Sequence, residues 1–483
     1  MHDPSSDIRL APPTRARFIA LGFLCSMAIV LYLDRICIAQ ALVPMQQEFG
    51  WSNTQSGMVL MAFTLAYGLF EIPTGRLGDL YGSRGVLTRI VLWWSVFTAV
   101  TGAVGDFSYE GMLGSVPLVF NTLVLMVLVR FWFGAGEAGA IPNSARILMH
   151  WFPDHERGRM QGLYQASMHV GGAVAPVLAG QIIKYAGWRW TFGIFGLVGV
   201  AWAGLFFWWF RDKPAQHSAV NQAERDHIGT RDSGGADGHG LGEAVPWGEA
   251  LTHPNVWLLS ITITMSAFNS YFFFSWYSTY LQKARAWDNG ELVNNAEAGW
   301  LAAIALVGAT CGSLCGGVMA DRIARLAVDR YRARRRLCLY AYGGAALCLF
   351  ASVHVDPPLL SALLCGLACL SMFCMLPTWW ACSFEVSGKH TGALFGLLNG
   401  IGVVGAMGSQ YFWGAFADWR KQLGHTGRDQ WDPAFYVSIG ILLTAGFLWQ
   451  FVYPRRVIGE PDPPARPALD ETLKAAIQTK PSK

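Results

Sequence analysis

The chain has 483 residues, of which 53% are hydrophobic and only 14% charged, with a formal net charge of +4. So little charge cannot track a phosphate backbone, which argues against nucleic-acid binding, and so much apolar surface excludes a disordered or collagen-like chain. An integral membrane protein of many helices is the class that fits.

A polar tail, residues 1–17, precedes the first apolar stretch. A crossing needs about 20 mostly apolar residues. Twelve stretches meet that need: 18–43, 54–76, 86–105, 117–147, 159–183, 190–210, 256–281, 298–320, 337–355, 358–384, 392–415 and 435–453. Residues 211–255 break the rhythm with a polar, Gly- and Asp-rich composition that reads as a cytoplasmic linker, and residues 454–483 form a Pro-rich charged tail. The predicted fold is therefore an all-α membrane protein of twelve transmembrane helices, with six-helix bundles over 18–210 and 256–453. Lys and Arg crowd the loops on the side of the two termini, including the basic run at 322–336. That bias predicts both termini in the cytoplasm of a multi-pass protein of the cell (inner) membrane. The ten cysteines lie in or at the ends of apolar runs and form no Cys-x-x-Cys pair. No metal, cofactor or nucleic-acid partner is expected, and no P-loop or nucleophile elbow suggests an enzyme.

Two stretches repeat. After the second crossing comes Gly75-Arg76-Leu77-Gly78-Asp79-Leu80-Tyr81-Gly82-Ser83-Arg84, and after the eighth Gly317-Val318-Met319-Ala320-Asp321-Arg322. Both are read as loops with Gly four residues before Asp, each after the second helix of a six-helix half, the mark of a duplicated parallel unit. The first stretch resembles the signature loop of the major facilitator superfamily, departing from it at Leu80 and Ser83. Within that superfamily the N-terminal half is similar to the anion:cation symporter family. The likeness rests on Tyr32-Leu33-Asp34-Arg35, on Arg130-Phe131-Trp132-Phe133-Gly134-Ala135-Gly136-Glu137-Ala138, on Trp151-Phe152-Pro153 with Glu156-Arg157, and on Gly187-Trp188-Arg189-Trp190. That family includes sugar-acid and other organic-anion uptake systems and the related vesicular glutamate and sialic acid carriers.

Four charges lie deep in the first and fourth crossings: Asp34, Arg35, Arg130 and Glu137. An ionisable group at mid-membrane costs about 2.5–3.5 kcal/mol on insertion scales, so these must line a cavity or pair with one another. Arg130 and Glu137 are seven residues apart and share a helix face, roughly 10 Å along the axis. Arginine presents a permanently charged fork to an anion, and a dry site favours the protonated form of a carboxyl. An anion that occupies the arginines thus promotes protonation of the carboxyls, which couples the two bindings. The family resemblance implies the same division: Asp34 and Glu137 for proton coupling, Arg35 and Arg130 for substrate binding. Tyr32 and Tyr67 could complete that pocket.

The C-terminal crossings hold almost no charge. Their neutral donors and aromatics, chiefly Tyr271, Thr378, Trp379 and Asn399, suit hydroxyls and ring edges. Glu71, Asp79, Arg84, Arg146 and Asp321 fall near the terminal-side ends of their crossings and are expected to gate access rather than bind substrate. His169 in the fifth crossing could titrate near neutral pH. The function expected is proton-coupled symport of a small organic anion, with an aldonate or hexuronate as leading substrate, by a carrier working as a monomer. An anion exchanger, a uniporter, or a carrier of aromatic carboxylates are the alternatives.

Overall fold

The computed structural model describes residues 12–113, 116–229, 246–327, 329–453 and 458. The N-terminal half opens with α1 (Ala16–Phe49), which ends on Gly50 at φ 67°, a left-handed turn that favours glycine. α2 (Asn53–Tyr81) starts on a capping box between Ser52 and Gln55. α3 (Ser83–Ala103) follows directly, and a hairpin of β1 (Ser108–Leu113) and β2 (Val116–Asn121) joins it to α4 (Thr122–Glu137). Then come α5 (Ala140–Trp151), α6 (Asp154–Ala186) and α7 (Trp188–Trp209). Two short helices lie in the linker, α8 (Gln222–Ile228) and α9 (Trp247–Thr252). The C-terminal half comprises α10 (Pro254–Ser275), α11 (Tyr277–Ala284), α12 (Asn295–Leu326), α13 (Arg330–Val353), α14 (Pro358–Phe373), α15 (Leu376–Ser387), α16 (Thr391–Gln422) and α17 (Gly427–Leu448).

Among the described residues, ten crossings are long and apolar enough to span a membrane, with α4 joined to α5 and α14 to α15. The long helices α2 and α16 bring the number to twelve. Large apolar side chains such as Leu197, Leu205, Leu347 and Leu367 stand exposed on the outside, as lipid-facing positions do. The fourth crossing of each half is interrupted at matching places: α4 breaks after Glu137, and α14 breaks after Phe373. Gly139 makes the first break with φ 86°, where a Cβ would lie 2.5 Å from Thr74 Oγ1.

Two expectations need correction. The stretches around Asp79 and Asp321 are not loops, because nothing between Arg76 and Tyr81 or between Gly317 and Leu326 stops a helix. They form the last turns of α2 and α12, and Gly78 is tolerated there because it packs onto Asn143, which a Cβ would strike at 1.8 Å. The fourth crossing does not begin at 117. The run from Val116 is apolar enough to pass for helix, but it pairs as a strand with Ser108–Leu113, and helix starts only when Asn121 accepts from the Val124 amide. Part of the linker is built: Glu224 of α8 accepts from the Arg15 amide at 2.7 Å and from Arg17 Nη1 at 3.0 Å, and Arg17 Nε also reaches Glu156 of α6. His155, Glu156 and His227 gather beside them with potential metal-ligating atoms within 4.8 Å of one another, but the Arg17 guanidinium already lies 3.2 Å from His227 Nε2.

Within the C-terminal half α12 and α14 run so close that a Cβ on Gly308, Gly312 or Gly316 would lie 2.1–2.2 Å from a backbone carbonyl. Between the halves α2 packs on α16, and α6 on α12. The hydrogen bonds that join the halves are concentrated on the side away from the termini, the far side. Asp418 at the end of α16 accepts from the Asn53 and Thr54 amides at 3.2 and 2.7 Å and from both their side chains, so a carboxylate of one half caps a helix of the other. Ser278 donates to Gln40, and Lys283 to Gln46 and Asn53. Burial pushes the Lys283 ammonium down to about 8, partly opposed by Asp418 and reinforced by Lys421. Deeper in, Thr64 of α2 donates to Gln410 of α16.

Candidate functional site

Below the hydrogen bonds that join the far side, a cavity of about 390 Å³ lies between the halves. Its floor is built by consecutive helical faces: Tyr32, Arg35 and Ile36 from α1, Tyr67 and Glu71 from α2, and Arg130 from α4. Spacings of three and four residues bring each set to one face.

The arginines are held by rings. The Arg35 guanidinium carbon lies 4.8 Å from the Tyr67 ring, 5.2 Å from Phe63 and 5.4 Å from Tyr32. That of Arg130 lies 4.2 Å from Phe133 and 5.5 Å from Phe63. Such walls fix a cation while leaving its N–H edge available to a ligand. Arg35 donates through Nε to Glu137 Oε1 at 2.8 Å, and its Nη2 meets the same oxygen. Trp94 Nε1 donates to Asp34 Oδ2 at 3.1 Å.

Satisfaction stops there. Arg130 is 1% exposed, yet its Nε and Nη1 find no hydrogen-bond partner among the described residues. The same holds for Asp34 Oδ1 and Glu137 Oε2. Buried polar atoms are nearly always paired, so four orphans on three neighbouring charged groups mark a place made for something else.

Of the residues expected from sequence, Arg35, Arg130, Tyr32, Tyr67, Tyr271, Trp379 and Asn399 all line the cavity. Asp34 and Glu137 sit just behind it: both are fully buried, and Glu137 touches the cavity through Arg35. Thr378 does not belong. Successive residues of a helix point about 100° apart, and α15 turns Trp379 to the cavity, which leaves Thr378 fully buried outside the lining. Trp379 satisfies its own N–H on Leu259 O at 3.0 Å and offers its ring.

Glu71, expected at a gate, lines the cavity beside Tyr67 and Asn399. Its apparent nearness to the helix end came from ending the crossing at 76, whereas α2 continues to Tyr81. Gln165 and His169 of α6, Ser266 and Ser270 of α10, and Thr310 of α12 also line it. His169 Nδ1 donates to Gln165 O at 2.8 Å, which leaves Nε2 as its second polar atom. A polar residue four positions after Gln165 on the cavity face was the available signal.

The expected gate residues lie at the terminal side. Arg84 binds Phe207 O and stacks on the Phe207 ring, and its amide donates to Asp212 at the start of the linker. Asp321 is exposed and lies 3.9 Å from Arg325 of the same helix. Arg146 is half-buried on α5, and the Asp79 side chain lies outside the described residues.

A family model described as Major Facilitator Superfamily matches residues 24–410. Among curated proteins the chain is similar to the "Probable sulfoacetate transporter SauU" of Cupriavidus necator, 28% identical over 450 residues that cover 93% of this chain and 96% of that one. It is also similar to the "Probable L-galactonate transporter" of Escherichia coli K12, 26% identical and covering 80% of each chain. Among solved structures it matches a bacterial homologue of the human lysosomal transporter Spinster in an inward-facing, occupied conformation, with a TM-score of 0.69, 18% identity, and 90% and 96% of the two chains covered. A D-xylose-proton symporter matches with a TM-score of 0.64 at 16% identity, over 91% and 98% of the chains. These two likenesses establish the twelve-helix fold.

Proposed function

The chain belongs to the Major Facilitator Superfamily and is a membrane transporter, not an enzyme; from that premise we propose that it is a proton-coupled symporter of a small organic anion. A sugar acid such as an aldonate or hexuronate is the substrate the cavity suits best. The observation that supports this reading is the unequal state of the two arginines: Arg35 is held by Glu137, while the Nε and Nη1 of buried Arg130 have no partner among the described residues.

An arriving carboxylate takes the vacant donors of Arg130 and competes with Glu137 for Arg35. Glu137, losing its cation in a dry site, gains by binding a proton, and Asp34 with its vacant Oδ1 is a second acceptor nearby. Anion and proton then cross together as the halves rock about the cavity. Loss of the proton toward the cytoplasm returns Glu137 to Arg35 and expels the anion. The names of the relatives, sulfoacetate and L-galactonate among them, support an anionic substrate. Hydroxyl and amide groups across the cavity, Ser266, Ser270, Thr310 and Asn399, suit a polyhydroxy tail. A second reading, aromatic carboxylates, is favoured by Tyr271, Trp379 and Trp380 on the same wall.

In this reading the protein acts as a monomer in the cell (inner) membrane with both termini in the cytoplasm. Asp79, Arg84, Arg146 and Asp321 would draw the terminal side together when the far side opens. The test is uptake into proteoliposomes. The wild type accumulates gluconate or glucuronate when a pH gradient is imposed, and Glu137→Gln keeps counterflow exchange but loses gradient-driven accumulation. Accumulation by Glu137→Gln equal to wild type overturns the coupling role. Accumulation fuelled by counter-substrate alone replaces symport with exchange.

A further inference from the structure

We propose that Glu71 restricts the carrier to anions with a single negative charge, a selection that rests on the anion-symport reading above. Glu71 lies one helical turn beyond Tyr67 on α2, and both line the cavity. Its carboxyl sits beside the Tyr67 hydroxyl and the Asn399 amide, and in the field of Arg35. Asn399 belongs to α16, so this acidic group stands where the two halves meet across the cavity.

The charge arithmetic of the cavity explains what it does there. Two guanidinia face the space, those of Arg35 and Arg130. Behind them stand Glu137, bound to Arg35, and Asp34. His169 on α6 is the remaining ionisable group of basic type in the lining. Among the described residues no charged side chain of the C-terminal half lines the cavity; its wall offers Ser266, Tyr271, Thr310, Tyr342, Asn399 and the tryptophans. One negative head group therefore finds two cations. A second negative group on the same molecule finds no arginine of its own, only the His169 imidazole on the N-terminal side and amides, hydroxyls, rings and the Glu71 carboxyl elsewhere. Like charges a few Å apart in a partly dry site repel strongly enough to cost about one to two factors of ten in affinity. A hydroxyl in that position meets the opposite response, because a carboxylate accepts its hydrogen bond.

Gluconate and glucarate make a matched pair: the same six-carbon chain ends in a hydroxymethyl group in one and a second carboxylate in the other. Full-length protein is reconstituted into proteoliposomes, and pH-driven uptake of labelled gluconate is competed by each compound. The wild type is expected to bind gluconate at least tenfold better than glucarate. Glu71→Gln is expected to shrink that ratio about tenfold, chiefly by improving glucarate. Glu71→Asp, which keeps the charge, is expected to hold the ratio near wild type. A wild type that takes both equally overturns the proposal even if a variant fails to fold, and so does an unchanged ratio in Glu71→Gln. If the wild type takes up neither compound, the sugar-acid reading falls first and this inference with it, a result distinct from uptake without selectivity.

Discussion

Each half of the molecule buries an arginine, and the two could hardly differ more. Arg285 in the C-terminal half is fully buried, and every arm of its fork is engaged: Nε donates to Tyr280 Oη at 2.8 Å, Nη1 to Val355 O at 2.5 Å, and Nη2 to Ser352 O at 2.7 Å. Arg130 in the N-terminal half is buried as deeply, and among the described residues two of its nitrogens have no partner. One arginine staples α11 to the end of α13. The other is held by rings and points its chemistry at a cavity. Burial alone therefore says nothing about role; the completeness of hydrogen bonding does.

The halves as wholes follow the same division. The N-terminal half supplies the charged lining of the cavity, Arg35, Glu71 and Arg130. The C-terminal half supplies a neutral wall, backed by a stacked aromatic interior in which the Phe272 and Trp413 ring centres are 4.0 Å apart. A charged half next to a packed one gives a carrier a fixed platform against which the chemical side can be read.

The sharpest way to break this comparison is to exchange the consequences of the two arginines. Arg130→Ala is expected to lower transport at least 100-fold while the protein purifies and melts as wild type, because its Nε and Nη1 hold no partner among the described residues. Arg285→Ala takes away three bonds from a charged donor, leaving Val355 O without its partner, Ser352 O with the Ser361 hydroxyl and Tyr280 Oη with Asp432, and should lower thermal stability by about 3 kcal/mol. Melting curves beside uptake rates decide it. An Arg130→Ala protein that unfolds, or an Arg285→Ala protein that is stable and inactive, would reverse the assignment.

A second test addresses the seam where the halves meet. Asp418 satisfies four donors at the start of α2, and Asp418→Ala leaves them with no acceptor when the far side is closed. The loss is about 2 kcal/mol, or roughly 30-fold toward the open form. Labels at exposed Tyr185 and Leu423, on opposite halves of the far side, report the shift as a longer distance. An unchanged distance distribution would mean that the carboxylate caps α2 without holding the halves together.

A third test separates neighbours on the neutral wall. Asn399→Ala should raise KM about tenfold, since Asn399 lines the cavity, while Thr378→Val should leave KM and kcat within twofold, since Thr378 does not. Equal effects would show that the wall is wider than its lining.

Much of this was legible before any coordinates. Charges inside apolar stretches have few explanations, so Asp34, Arg35, Arg130 and Glu137 stand out, and the duplicated Gly-to-Asp spacing points to a six-plus-six arrangement. Depth and direction were not legible. Glu71 was misplaced because a hydropathy window ends a crossing where polarity rises, while the backbone of α2 continues for more than a turn. Thr378 was misplaced because a run of polar and aromatic residues does not say which of two neighbours faces inward. The hairpin before α4 was hidden because an apolar strand and an apolar helix start look alike at that length. Arg285 carried no signal at all, since a basic residue beyond the end of a crossing reads as solvated until its three partners are seen.

The mildest expected effect joins the seam to pH. Lys283 of α11 reaches across to Gln46 and Asn53 of the other half, with Asp418 and Lys421 as the charged groups around it. Burial holds its ammonium down to about 8, against about 10.4 for a lysine in water, which is what it becomes when the far side opens. The closed form thus binds this proton more weakly than the open form, and closing sheds it. Raising the pH from about 8 toward 10 must then favour the closed form, by at most tenfold per pH unit, and below about 8 the response levels off. Asp418 does not blur the window, because the amides and side chains of Asn53 and Thr54 hold its carboxyl below the usual carboxylate range, far from this titration. The labels at Tyr185 and Leu423, in a background without the exposed Cys311 and Cys315, should show the short-distance population growing over that interval. Lys283→Gln should flatten the curve while keeping the seam's neutral hydrogen bonds. A closed population that falls as pH rises would mean the lysine is better solvated in the sealed seam than in open water, which its contacts with Gln46 and Asn53 argue against.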